Sequence, residues 1–200
     1  MRLLRPVPFV VLGSLAMFPA SPPRSTGAEQ STAVEKSSSG VGLILAKTEG
    51  ERRVRRPPPS NVLTLAAPLI IKVDRTNGGS PDFFMGYEDI PAGKGIARHY
   101  HPHYDEILFV HRGSGLVTLG TRESTVTEGA TIYIPPNTRV SLKNTGTEPL
   151  SVLFFFPQPA MADYFREASV PEGERAVPFS AEEFVAFRAR HRAHVIFEER

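Results

Sequence analysis

"GKGIARHYHPHYDEILFVHRG", residues 93–113, decides fold and chemistry together. Eight consecutive positions, His99 to Glu106, hold three of the chain's six histidines and two acids. An apolar run follows at once, Ile107-Leu108-Phe109-Val110. Residues i and i+2 of a strand point to one face, so His99 and His101 present two imidazoles to the same side. Pro102 ends that strand, because it lacks the N–H that a ladder needs. Pro102 to Asp105 turn the chain and Glu106 opens the next strand. If the two strands pair as a hairpin, Glu106 lies beside the histidines. Two imidazoles and one carboxylate on a concave face suit Fe(II), Mn(II) or a similar divalent ion. They leave coordination positions open, as a catalytic ion requires. The competing reading is a solvated polar turn.

Parity sorts the neighbours. His103 shares the parity of His99 and His101 but follows Pro102, which places it in the turn. His111 lies five residues after Glu106, hence on the opposite face of that strand. Arg98 and Arg139 each flank a site position and also face away. Tyr104 and Asp105 fall at the exposed turn, so no general base stands out beyond the ligands. Leu108 and Val110 share the parity of Glu106. With Tyr87, Val140 and Phe154 they form the expected pocket wall, core packing being the alternative for all five.

Outward from this stretch, short apolar runs recur every eight to twelve residues from position 61, the pattern of an all-β sandwich or barrel. The runs begin with Asn61 to Val73 and Phe83 to Ile90 and end with Leu150 to Phe156. Turn signals separate them: Asn77-Gly78-Gly79, Pro91-Ala92-Gly93, Glu128-Gly129, Pro135-Pro136-Asn137 and Asn144-Thr145-Gly146. After Pro159 the period changes. Met161 to Ala168 and Ser180 to Arg192 read as helices, the second opened by a Ser180/Glu183 capping box. His191 and His194 end that helix, a common place for histidine.

The N-terminus has a different texture. "MRLLR" is a basic start and "VPFVVLGSLAMF" an apolar run of twelve, too short to span a bilayer as a helix. That pattern predicts a secretory signal peptide over 1–28 and a periplasmic or extracellular protein. Residues 29–60 read as a largely irregular linker, within which Val41 to Leu45 is a candidate short strand. Residues 61–160 are the barrel and 161–200 a helical extension. The basic run Arg52-Arg53-Val54-Arg55-Arg56 meets three prolines and reads as solvated linker. With 23 basic and 21 acidic residues the chain has no nucleic-acid footprint. The absence of cysteine excludes disulfides, thiolate metal sites and a lipoprotein anchor. No stable membrane anchor is expected.

Two patterns resemble the cupin superfamily. Gly93-x5-His99-x-His101-x4-Glu106-x6-Gly113 matches its first motif at every fixed position. Gly129-x5-Pro135-x-Asn137-x2-Val140-x3-Asn144 resembles its second, with two departures. Asn137 stands where the family usually has glycine, and Val140 where it has a fourth ligand, a histidine. The resemblance covers about residues 65–157. It implies a small antiparallel jelly-roll β-barrel with a metal (Fe, Mn, Ni or Zn) held by His99, His101 and Glu106 inside its mouth. It also implies a small oxygenated organic molecule as substrate or ligand. Dioxygenase, isomerase and decarboxylase activities all occur on this fold, and fold does not select among them. The loss of the fourth ligand keeps a second reading open, a non-catalytic cupin that binds a small ligand without metal. Cupins also pair barrels through edge strands, so a homodimer is expected, with the run at 61–73 as the pairing edge.

Overall fold

The structure, a computed structural model, describes residues 42–59, 68–77 and 79–198. The signal-like segment and residues 61–67 of the first apolar run lie outside them. Ten strands come first in chain order: β1 (Glu51–Arg55), β2 (Pro68–Val73), β3 (Phe84–Ile90), β4 (Gly95–Tyr100), β5 (Glu106–Arg112), β6 (Ser114–Leu119), β7 (Arg122–Thr127), β8 (Thr131–Ile134), β9 (Val140–Asn144) and β10 (Leu150–Phe156). Then follow α1 (Met161–Glu167), β11 (Ser169–Pro171), α2 (Ala181–His191) and β12 (Ile196–Phe197). All pairings among the described residues are antiparallel. Seven strands form one sheet in the order β11-β1-β2-β3-β10-β5-β8, and five form the other in the order β12-β4-β9-β6-β7. This is the expected jelly-roll barrel, two sheets face to face.

Alternation fixes which face is inside. On β5, Glu106, Leu108 and Val110 are buried while Ile107, Phe109 and His111 turn outward. Facing strands supply Phe84, Ile90, Val152, Phe154 and Phe156 from the same sheet and Val117, Val140 and Leu142 from the other. Gly86 makes room for one of them: a Cβ there would lie 2.2 Å from the Phe154 ring.

Three expectations change. First, the basic run is not solvated linker: Arg52 to Arg55 lie in strand β1, with Arg56 directly after it. The strand pairs with β2 and β11, and each arginine of the run has an acidic partner. Arg52 meets Glu172, Arg53 meets Glu51, Arg55 meets Glu88 and Arg56 meets Glu183. Residues 42–46, by contrast, form no strand. Second, the C-terminal region is not purely helical. The capping box is present, with Glu183 N–H donating to Ser180 Oγ (3.1 Å) and Ser180 N–H to Glu183 Oε2 (2.8 Å). But β11 adds to β1 and β12 adds to β4, so the region is woven into both sheets. Third, β2 is flanked by β1 and β3. The described part of the run at 61–73 is therefore an interior strand and offers no pairing edge.

Candidate metal centre

His99 sits near the end of β4, His101 directly after it and Glu106 at the start of β5. These strands do not pair; β4 belongs to the five-stranded sheet and β5 to the seven-stranded one. The expected hairpin is thus replaced by a crossing between sheets, and the acid faces the imidazoles across the barrel. The convergence still holds. Candidate ligand atoms of His99, His101 and Glu106 all lie within 4.8 Å of one another, and all three residues are buried. The two imidazoles meet edge to face, their centroids 5.1 Å apart.

Each imidazole is oriented by a carbonyl. His99 Nδ1–H donates to Ala97 O (2.8 Å) and His101 Nδ1–H to His194 O (2.6 Å). A carbonyl only accepts, so the proton sits on Nδ1 and the Nε2 lone pair turns to the site. His101 Nε2 then lies 3.3 Å from Glu106 Oε2, and His99 Nε2 3.9 Å from the same oxygen. Among the described residues neither His101 Nε2 nor Glu106 Oε2 has a hydrogen-bond partner, although both are buried. Two acceptors face each other with no donor between them, an arrangement that a cation resolves. Burial holds His99 below the usual imidazole range, outweighing the opposing pull of Glu106, with His101 adding to the decrease. A neutral imidazole is the form that ligates a metal.

The surroundings are apolar. The Phe156 ring lies 4.8 Å from His101 and the Phe197 ring 5.3 Å from His99. Val140 is opposite His99 in the β4–β9 register, hence on the same face, and is 1% exposed. The loop after β8 closes the site from behind: Asn137 N–H donates to His101 O (2.8 Å) and its side-chain amide to Pro102 O (3.0 Å). Asn137 takes the left-handed conformation, φ 61°, that glycine usually fills.

The remaining sequence candidates divide. Leu108, Val110 and Phe154 are core residues deeper in the barrel, on the same side of the sheet as Glu106. Tyr87 does not join the site. It faces the outer side of β3, where its hydroxyl donates to Asp89 (2.6 Å) and its ring meets His111. There it lines a different groove, of about 390 Å³, with Leu43, Leu45, Met85 and Leu153. His103 is exposed in the turn, as its place after Pro102 predicts. Asp105 accepts from the Tyr133 hydroxyl (2.7 Å) at the surface. Arg98 and Arg139 both pair with Glu198. The spacing of the motif gives no sign of Phe156, Phe197 or the His194 carbonyl. Only Phe156 carries a signal, since it shares inward parity with Phe154.

Residues 86–156 match the cupin family, described as "Cupin domain". Those residues are a cupin domain. This cupin is 39% identical over 64 residues to an uncharacterised protein of Methanocaldococcus jannaschii, a match covering 32% of this chain and 51% of that protein. It is 26% identical over 76 residues to a tetracenomycin polyketide synthase protein of Streptomyces glaucescens, covering 38% of this chain and 51% of that one. The chain thus spans about half the length of these curated relatives. Among solved structures, KdgF from a Halomonas species is similar at 18% identity and a TM-score of 0.47, covering 59% of this chain and 96% of that one.

Proposed function

We propose that this cupin holds a divalent metal ion through His99 Nε2, His101 Nε2 and Glu106 and acts on a small oxygenated organic molecule. The observation that carries the reading is the buried, donorless apposition of His101 Nε2 and Glu106 Oε2. When bound, the ion supplies Lewis acidity to a substrate oxygen. The chain does the rest. The carbonyls of Ala97 and His194 keep both Nε2 lone pairs aimed at the site, and Phe156, Phe197 and Val140 keep water from its walls. Val140 offers no donor, which leaves that side of the coordination sphere to substrate. The polyketide synthase relative supports an oxygenated organic ligand, and the basic start with its apolar run supports export.

The test is metal uptake. Purified protein incubated with Fe(II), Mn(II), Ni(II) or Zn(II) is expected to retain one ion per chain by mass spectrometry. At a hundredfold excess over Kd the melting temperature should rise by roughly 5–10 °C. Absence of uptake for all four ions would leave the non-catalytic reading, a cupin that binds a small ligand without metal.

Val140 provides a second, independent check. Val140→His restores an imidazole on the face that His99 occupies. Metal Kd is expected to fall by about tenfold or more, the effect of some 1.4 kcal/mol. The metal-free protein should lose about 1–3 kcal/mol, the cost of a further buried polar group without a partner. Titration calorimetry and thermal melts with and without metal read both signs.

A further inference from the structure

We infer that the C-terminal segment His194–Glu198 is a strap that completes the metal centre, positioning both histidines from outside the motif that supplies them. This rests on the metal reading above and adds the element that makes the site competent. The main contact is the bond from His101 Nδ1–H to His194 O, which joins residues 93 positions apart. An imidazole without such an acceptor has no fixed tautomer and no fixed ring orientation, and a weaker ligand results. The strap reaches the other histidine too. In β12, Ile196 pairs with Tyr100 and Phe197 with His99, and the Phe197 ring packs against the His99 ring at a tilt of 30°.

The strap is fastened at both ends. At its start, His194 N–H and Val195 N–H donate to His191 O (2.8 and 3.0 Å), and His191 Nε2 meets Glu167 Oε2 at 2.6 Å. At its end, Glu198 N–H donates to Arg98 O (3.1 Å), and its carboxylate bridges Arg98 Nε (3.0 Å) and Arg139 Nε (2.5 Å). Arg188 also donates to Phe197 O (2.5 Å). The Glu198 latch is solvent-exposed, its three side chains 32–46% accessible, so salt and substitution can loosen it. Arg98 and Arg139 flank His99 and Val140 in sequence. The two arginines that face away from the site thus tie the strap across it.

The experiment uses Co(II) and the full chain. Calorimetric Kd and the visible absorption of bound Co(II) are measured for wild type, His101→Ala, Glu198→Ala and Phe197→Ala/Glu198→Ala. Glu172→Ala, which breaks the Arg52 pair on the other sheet, serves as control. The double variant is expected to bind Co(II) about tenfold or more weakly, with an altered absorption spectrum, while the control matches wild type. Because coupling is reciprocal, Co(II) is also expected to slow amide hydrogen exchange across residues 195–198 of the wild-type protein. A folded double variant with wild-type Kd and spectrum overturns the strap's role alone. If that variant does not fold, unchanged exchange at 195–198 on Co(II) addition to wild type overturns it. Failure of wild type to take up Co(II) removes the metal reading and the strap's role together.

Discussion

Glu106→Gln is expected to abolish stoichiometric metal binding and, at the same time, to stabilise the metal-free protein. The two effects have one cause. Both His101 Nε2 and Glu106 Oε2 are acceptors once His101 Nδ1–H is committed to His194 O, and they stand 3.3 Å apart without a donor. A buried polar atom left unpaired costs about 1–3 kcal/mol. Glutamine puts an N–H where the carboxylate oxygen was and lets His101 Nε2 accept it. The metal-free melting temperature should then rise by roughly 2–12 °C in a chain of this size, while the loss of the anionic ligand removes the ion. His101→Ala should also abolish metal binding, and His103→Ala, in the exposed turn, should leave it unchanged. The sign for Glu106→Gln is the discriminating measurement. If His101 instead carried a second proton and formed an ion pair with Glu106, glutamine would break a buried pair and destabilise by about 3–5 kcal/mol. A fall in melting temperature of that size would refute the donorless arrangement on which the metal assignment stands.

The strands and the ligand trio were legible because both rest on short-range rules. A period of two tells inside from outside, and fixed spacing sets His99, His101 and Glu106 at their strand ends. What the spacing could not report was the sheet each strand joins. A turn of four residues, Pro102 to Asp105, serves a hairpin or a crossing between sheets equally well. The pairing of β4 with β9 and β12 is decided by contacts far away in the chain. The ligands converge in either case, because β4 and β5 both turn the relevant parity inward. Tyr87 failed for the opposite reason. Its polar, half-apolar strand Phe84–Ile90 buries residues on both sides, so parity does not single out the inner face. The strap was hidden because its decisive atom is a backbone carbonyl, which any residue at position 194 would supply. Strand β1 was hidden because its inward positions, Glu51, Arg53 and Arg55, are all charged. A search for alternating apolar residues passes over charge that is neutralised by distant acids.

Arg55 and Glu88 show how much stability such hidden charge can control. Glu88 is 1% exposed, and Arg55 Nη2 donates to its Oε2 at 2.9 Å, with the guanidinium 5.2 Å from the Phe165 ring centroid. Burial works against the arginine's charge, yet the Glu88 carboxylate outweighs it and holds Arg55 above its usual range. Glu88→Gln leaves that cation in the barrel wall with a neutral partner, and Arg55→Met leaves the carboxylate alone. Each is expected to cost about 3–5 kcal/mol, as when one partner of a buried pair is removed. For a domain whose total stability is on the order of 5–15 kcal/mol, either change brings the protein close to unfolding at physiological temperature. The double replacement Arg55→Met/Glu88→Leu should recover most of the loss, since it strands no charge and fills the space with apolar volume. Urea melts of the two single variants and the double variant give the coupling directly. Additive losses would mean that Arg55 and Glu88 are not coupled, whereas recovery in the double variant shows that the ion pair is what lets a buried arginine sit in β1.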